Sequence, residues 1–160
     1  MRKRPSATSP RFVSGRMEAV IVNELHRGSC LCGSVRFETR GALRGVVFCH
    51  CSQCRKQSGH FYAATNVQDD SIDISGEEHV SWYEASDFAK RGFCKHCGSV
   101  LFWKHHKLDY VSVMAGAFDQ PSGLHGESHI FVGDKGDYYE IDDGLPQYEK
   151  SGGSVVVAGD

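Results

Sequence analysis

The sequence predicts a mainly β protein built from short strands around cysteine-rich turns. Its apolar runs are short, rich in Val, Ile, Phe, Tyr and Trp, and separated by glycines, a pattern typical of strands and tight turns. No long stretch shows the 3.6-residue period of an amphipathic helix. The length of 160 residues, with 24% charged and 40% hydrophobic residues, favours one domain with a core of its own.

Ten segments have the composition of strands, and a single segment, Ser52–Ser58, has that of a helical turn. The predicted strands are Ala19–Leu25, Ser34–Thr39, Val46–Cys49, His60–Asn66, Ser71–Ser75, His79–Glu84, Phe88–Phe93, Ser99–Trp103, Tyr110–Ala115 and His129–Val132. Glycines between these segments mark the turns that join them.

The two ends of the chain differ in composition from the middle. Residues 1–16 are basic and contain no acidic residue, so we expect a flexible leader there. An organellar transit peptide is the alternative, but Pro5 and Pro10 disfavour the amphipathic helix that such peptides form. Residues 151–160 begin with a Gly- and Ser-rich linker composition and are expected to be flexible. The globular domain is therefore expected to span residues 17–150.

Charge and cysteine content limit the classes of partner and compartment. The formal net charge of −2 does not indicate a nucleic-acid binder, and no apolar run approaches the ~20 residues of a membrane span. Seven cysteines are an odd number that cannot pair completely within the chain, and no signal peptide is recognisable. We therefore expect reduced cysteines and a cytoplasmic protein, with no indication of its oligomeric state.

Two cysteine pairs that are distant in sequence are predicted to form a structural zinc site. Cys30 and Cys32 form one pair, Cys94 and Cys97 form the other, and a glycine directly follows each pair. Zinc takes about four soft or borderline ligands at tetrahedral corners, and a tight loop can supply two of them. The two loops facing each other would complete one closed site.

The middle group of cysteines, Cys49, Cys51 and Cys54, is left without a fourth cysteine. In an extended segment residues i and i+2 share a face, so Cys49 and Cys51 point one way and His50 points the other. A turn after them can return Cys54 to the same ion. Three protein ligands with a vacant fourth position are typical of a catalytic zinc. We therefore predict two zinc ions per chain, with the second more labile.

The spacing of the cysteines does not determine the fourth ligand of the middle group. Either a histidine closes the site as Cys₃His, or water or substrate occupies the position. The histidines near in sequence are His50, His60 and His96. The basic residues near the cysteines also have two interpretations, because they either offset thiolate charge or form an anion-binding rim over the open zinc. They include Arg55, Lys56 and Arg91.

Five segments carry a resemblance to a known family. They are Gly28–Phe37, Cys49–Gly59, Arg91–Phe102, His129–Val132 and Leu145–Tyr148. In content and order they resemble the glutathione-dependent formaldehyde-activating enzyme (GFA) family, which also includes centromere protein V. The resemblance implies a β-tent fold related to zinc ribbons. It also implies a structural zinc at Cys30, Cys32, Cys94 and Cys97, and a catalytic zinc at Cys49, Cys51 and Cys54.

The activity that the resemblance implies is that of a carbon–sulfur lyase, joining glutathione to formaldehyde as S-(hydroxymethyl)glutathione. A substrate thiol would take the fourth zinc position, lose its proton there and attack the aldehyde. Glutathione carries two carboxylates, for which Arg55, Lys56 or Arg91 would be anchors. The alternative is a non-enzymatic zinc module that binds a protein or nucleic-acid partner. An exchangeable fourth ligand beside a pocket favours the enzyme, and a fourth protein ligand favours the module.

Overall fold

A computed structural model describes residues 24–152, so the predicted leader and residues 153–160 of the predicted tail lie outside the described residues. Within them the chain forms eleven strands and one α-helix, which confirms the mainly β prediction. The strands are β1 (Leu25–Ser29), β2 (Arg36–Arg40), β3 (Val46–Cys49), β4 (Tyr62–Gln68), β5 (Ile72–Ser75), β6 (Val80–Ser86), β7 (Ala89–Cys94), β8 (Val100–His105), β9 (Tyr110–Met114), β10 (Gly126–Ile130) and β11 (Gln147–Tyr148). The helix α1 (Ser52–Ser58) follows β3. The β-tent assignment itself stays a prediction.

The strand predictions agree with the structure best where apolar runs are bounded by clear turns. Val46–Cys49 and Ser52–Ser58 match β3 and α1 at both ends. The predicted strand His129–Val132 was placed too late, because Phe131 adopts a left-handed φ of 55° and ends β10 at Ile130. Of the predicted strand Ala19–Leu25, residues 19–23 lie outside the described residues. The two-residue strand β11 was not predicted.

The strands form two sheets. The larger has eight strands in the order β11-β10-β3-β4-β9-β8-β7-β6, and the smaller has three in the order β1-β2-β5. Strand β10 runs parallel to both β3 and β11, and the other paired strands are antiparallel. This arrangement brings the cysteine-bearing end of β3 between β10 and β4.

The hydrophobic core contains residues from both sheets. Phe37 of β2 lies edge-on to Phe102 of β8, with ring centroids 6.0 Å apart, and to Phe118, at 5.1 Å. Val111 and Val113 of β9 belong to the same buried cluster. Because successive side chains of a strand point to opposite faces, the residues that alternate with these valines lie on the other face of the large sheet. That second face carries the candidate site.

Gly28 of β1 lies where two parts of the core come close together. A Cβ atom at this position would lie 2.3 Å from the backbone oxygen of Ala117 and 2.3 Å from Cζ of Phe37. Only a residue without a side chain allows β1 to pair with Phe118 through an isolated bridge at this distance.

In the described part of the chain, no helix is long and apolar enough to cross a membrane.

Candidate metal centres

The structure brings four sulfur atoms together at one group of cysteines. The Sγ atoms of Cys30, Cys32, Cys94 and Cys97 all lie within 4.8 Å of one another. Sγ of Cys32 is 3.5 Å from that of Cys30 and 3.8 Å from that of Cys94. A tetrahedral zinc with Zn–S bonds of ~2.3 Å requires its sulfurs to be about 3.8 Å apart, whereas a disulfide requires ~2.05 Å. The spacing and the all-thiol donor set fit zinc.

The two loops of this four-cysteine group have the same backbone construction. Gly33 and Gly98 have φ values of 73° and 75°, a region that glycine enters without strain. The N–H of Gly33 donates to the carbonyl of Cys30 at 3.0 Å, and that of Gly98 donates to Cys94 at 2.8 Å. The glycines thus close each turn and point two sulfurs of each pair inward.

Two cysteines of this group differ in how readily they lose a proton. Burial raises the pKa of Cys94, which is completely buried, to about 11. The hydrogen bond with the Ser99 hydroxyl lowers the pKa of Cys97 to about 5. Because a metal binds the thiolate form, metal uptake has to displace the proton of Cys94.

The middle cysteines form a second group of three sulfurs. The Sγ atoms of Cys49, Cys51 and Cys54 lie within 4.8 Å of one another. Cys49 ends β3, and Cys51 caps α1, with its sulfur accepting a hydrogen bond from the N–H of Cys54 at 3.5 Å. The first turn of the helix therefore returns Cys54 toward the other two. Three thiols in this arrangement could hold a soft or borderline divalent metal.

The histidines that would close this group have other partners. Among residues 24–152, no His, Asp or Glu joins the three sulfurs within the same distance. The predicted candidates His50, His60 and His96 hydrogen-bond to Tyr139, Tyr138 and His79, respectively. The geometry therefore offers three protein ligands at this group.

Arg91 is the basic residue nearest to the three-cysteine group. It is 4% exposed, and its Nη1 donates to Sγ of Cys54 at 3.6 Å while Nη2 donates to Oε1 of Gln53 at 3.1 Å. Burial opposes its charge, but Cys54, Tyr62 and Cys51 together outweigh burial and raise the pKa of Arg91. Hydrogen bonds from Cys49 and Cys54 hold the pKa of Cys51 well below its usual range. The group thus places a buried guanidinium against Cys54, next to Cys51, the cysteine of the three whose pKa is lowered.

A cavity of about 270 Å³ opens beside the three cysteines. Its floor is the second face of the large sheet, where Tyr62, Ala64 and Asn66 alternate along β4 and Tyr110, Ser112 and Met114 alternate along β9. All three cysteines of the middle group line this cavity, whereas none of the four-cysteine group does. The two metal-binding candidates therefore differ in their access to a small molecule.

Residues 25–134 match the family model described as glutathione-dependent formaldehyde-activating enzyme. The chain belongs to this GFA family. It is 30% identical over 119 residues to an uncharacterized lyase of Schizosaccharomyces pombe, covering 72% of this chain and 85% of the relative. A protein of Halomonas elongata, provisionally named as a glutathione-dependent formaldehyde-activating enzyme, is 33% identical over 129 residues, covering 74% of this chain and 82% of its own.

A solved structure shares the fold of this GFA-family chain. The crystal structure of a Rhodobacter sphaeroides protein aligns with a TM-score of 0.51 and 19% sequence identity. The alignment covers 76% of this chain and 98% of the other. At this identity the likeness concerns the fold alone.

Two features of this GFA-family site were not found from the sequence. The first is a chain of hydrogen bonds from two buried histidines to an exposed aspartate, in which His50 Nε2 lies 2.8 Å from His129 Nδ1, and His129 Nε2 lies 2.8 Å from Asp143 Oδ2. Burial, with His129 beside it, lowers the pKa of His50 to about 4. This chain ties the residue between Cys49 and Cys51 to the segment after β10.

The second feature is Arg44, which lines the cavity although no motif surrounds it in the sequence. The anchors expected from the sequence are placed differently. Arg55 and Lys56 of α1 do not line the cavity, and Arg91 lines it with its guanidinium directed to Cys54 and Gln53. The alternation of side chains along β4 would have placed Asn66 on the same face of the sheet as Tyr62. Only the tertiary fold brings Arg44 to the cavity on that face.

Proposed function

We propose that this protein is a zinc-dependent enzyme that joins a thiol to an aldehyde, with glutathione and formaldehyde as its substrates. The observation that carries the proposal is that three cysteine sulfurs converge beside a cavity, and among residues 24–152 no fourth His, Cys, Asp or Glu ligand atom lies within 4.8 Å of all three. Membership of the GFA family supports the choice of substrates.

Each cysteine group has a proposed role. Cys30, Cys32, Cys94 and Cys97 would hold a structural zinc, since four thiols complete its coordination. Cys49, Cys51 and Cys54 would hold a second zinc beside the cavity that they line. When bound there, the ion would supply a positive charge that lowers the pKa of a substrate thiol.

The reaction itself is an addition without oxidation or reduction. The thiol sulfur forms a bond to the aldehyde carbon, the π pair of the carbonyl moves to oxygen, and the proton lost by the thiol is balanced by one gained at that oxygen. Arg91 offsets negative charge at the cysteines through its contact with Cys54. Trp103 and Met114 provide apolar cavity walls that limit access of water to the aldehyde.

Tyr62 is suited to assist the oxygen of the aldehyde. It lines the cavity, pairs with Cys49 across β3 and β4, and its buried hydroxyl lies near the Arg91 guanidinium with no hydrogen bond of ordinary geometry among the described residues. Burial raises the pKa of Tyr62, so its hydroxyl stays protonated and can donate. A buried donor left unpaired costs free energy, which a hydrogen bond to developing negative charge on substrate oxygen would recover.

The proposal is tested with zinc-loaded protein, glutathione and formaldehyde. Adduct formation is followed by exchange NMR against the spontaneous reaction without protein. We expect wild type to accelerate the addition and Cys51→Ser to abolish the gain. Equal rates for both proteins across several thiols and aldehydes would contradict the enzyme and favour the zinc module that binds a macromolecule. Acceleration with another thiol or aldehyde alone would retain the chemistry and replace the substrates.

A further inference from the structure

The cavity has a second polar end, opposite the cysteines. Cys49 pairs with Tyr62 in the sheet, whereas Asn66 lies four residues further along the same face of β4. At about 3.3 Å per residue these two positions are about 13 Å apart. Arg44 lies at the Asn66 end, and it also lines a second, outer hollow that continues from the cavity toward Arg40.

The guanidinium of Arg44 is held in place by neutral groups. Its Nη2 donates to Oδ1 of Asn66 at 2.9 Å, and its Nη1 donates to the carbonyl of Gly45 at 2.8 Å. Oγ of Ser112 donates to the same Asn66 oxygen at 2.8 Å. Arg44 thus makes two of the five hydrogen bonds that a guanidinium can make, so the group is fixed in place and still has N–H donors for a ligand.

No carboxylate within residues 24–152 lies within 4.0 Å of this guanidinium. Burial lowers the pKa of Arg44, although Glu127 and Tyr110 act in the opposite direction from further away. A partly buried cation without an ion pair is unfavourable unless an anion from outside completes it. The cavity wall carries two guanidinium groups, Arg44 and Arg91, against the single carboxylate of exposed Asp134.

We propose that Arg44, positioned by Asn66, binds a carboxylate of the thiol substrate and so selects thiols that carry an acid group remote from sulfur. The inference rests on the proposed function, because it supposes that the thiol occupies the cysteine end. Arg91 is held at the cysteine end by Cys54 and Gln53, whereas Arg44 lies with Asn66 at the opposite end of the cavity, where an acid group remote from sulfur would lie. Because the two backbone positions are about 13 Å apart, an acid group that reaches Arg44 has to lie several bonds from the sulfur.

The first test uses wild-type, zinc-loaded protein and needs no substitution. Isothermal titration calorimetry compares S-methylglutathione, which keeps both carboxylates but cannot react, with its diethyl ester. We expect the acid to bind at least tenfold more tightly, since an Arg–carboxylate pair is a charge-assisted and bidentate contact. Equal binding of the acid and the ester would overturn the proposal.

The second test assigns that preference to Arg44. Arg44→Gln is expected to lose the tenfold preference for the acid while binding the ester as wild type does, and Arg44→Lys is expected to keep part of it. Arg27→Gln is the matched control, because it removes an exposed guanidinium that pairs with Glu38 on the small sheet. If folded Arg44→Gln still binds the acid more tightly than the ester, a residue other than Arg44 binds the carboxylate. If that variant does not fold, a preference for the acid that is reduced in Arg44→Lys is required instead, and an undiminished preference would contradict the proposal.

The outcomes separate this inference from the proposed function. If wild type binds the acid in preference to the ester but accelerates no addition, the carboxylate-binding role of Arg44 is retained and the proposed reaction is contradicted. If wild type accelerates the addition of glutathione and of its ester equally, the proposed reaction is retained and the carboxylate-binding role of Arg44 is contradicted. For the reaction, we expect Arg44→Gln to raise the KM for glutathione about tenfold, a larger change than for 2-mercaptoethanol, which has no carboxylate, and we expect Arg27→Gln to change neither.

Discussion

Arg91 of β7 donates a hydrogen bond to the sulfur of Cys54 in α1, at 3.6 Å between Nη1 and Sγ. The two residues are 37 positions apart in the chain, and both are buried. The contact joins the edge half of the large sheet to the helix that carries the third cysteine. It also sets a positive charge beside a group that would carry a net charge of about −1 with three thiolates and one Zn²⁺.

Replacing Arg91 with methionine should weaken metal binding at the three-cysteine group by about tenfold or more, because outer groups that contact metal ligands contribute on this scale. Competition with a chromophoric chelator measures the affinity of each ion. Lys90→Met is the control, since Lys90 is the next residue and its Nζ lies over the Trp82 ring, 4.6 Å from the centroid. Unchanged affinity of the weaker ion in Arg91→Met would contradict a role for this contact in metal binding.

Replacing Tyr62 with phenylalanine should lower the activity without lowering the stability. Removing a buried hydroxyl without a partner should leave the free energy of unfolding equal or slightly higher. Losing a donor to the substrate oxygen should lower kcat about tenfold or more. Melting curves and rates of adduct formation measure the two effects, with exposed Tyr138→Phe as the control. A Tyr62→Phe enzyme with full kcat would remove this residue from the mechanism.

Carefully purified protein should contain about two zinc ions per chain, and a dilute chelator should remove one before the other. The reason is that three protein ligands hold an ion with one Zn–S bond fewer than four do. Elemental analysis after graded chelation, with circular dichroism on the same samples, follows both ions. Loss of the first ion should leave the β signal intact, and loss of the second should unfold the chain. A single ion that persists after zinc supplementation is the result that would exclude the second site.

Substitutions in the two cysteine groups should differ in their effect on folding. Cys94→Ser should unfold or aggregate the protein, because a structural zinc contributes on the order of 10 kcal/mol to the folding of a small domain. Cys51→Ser should stay folded, since its group lies within one continuous segment of the chain. Thermal unfolding of both variants measures the difference. Equal losses of melting temperature would contradict the separate structural and catalytic roles.

Replacing Gly28 with alanine should destabilise the fold by about 1–3 kcal/mol, the usual cost of an extra methyl group in a packed core. The added Cβ would meet the backbone oxygen of Ala117, which cannot move aside as the end of a side chain can. Gly116→Ala is the matched control, because a Cβ there has no heavy atom within 4 Å. Chemical denaturation of the two variants checks the difference, and equal free energies of unfolding would refute the close approach.

The local structure around the cysteines could be predicted from sequence because neighbouring residues determine it. Val46–Cys49 and Ser52–Ser58 are bounded by turn residues, and they match β3 and α1. The boundary of β10 was missed because Phe131 adopts a left-handed conformation that its residue type does not favour. The two-residue β11 was missed because its pairing with β10 depends on a segment far from it in sequence.

By itself, the sequence determined the mainly β class, the family and the spacing of the cysteines, since these depend on residue types a few positions apart. Only the tertiary structure decided which residues meet across the cavity. Arg91 of β7 reaches Cys54 of α1, and Arg44, just before β3, reaches Asn66 of β4, because folding brings segments that are distant in sequence side by side. Neither contact can be predicted from the local sequence, because a guanidinium binds whichever acceptor lies within hydrogen-bonding distance, and the tertiary fold selects that acceptor.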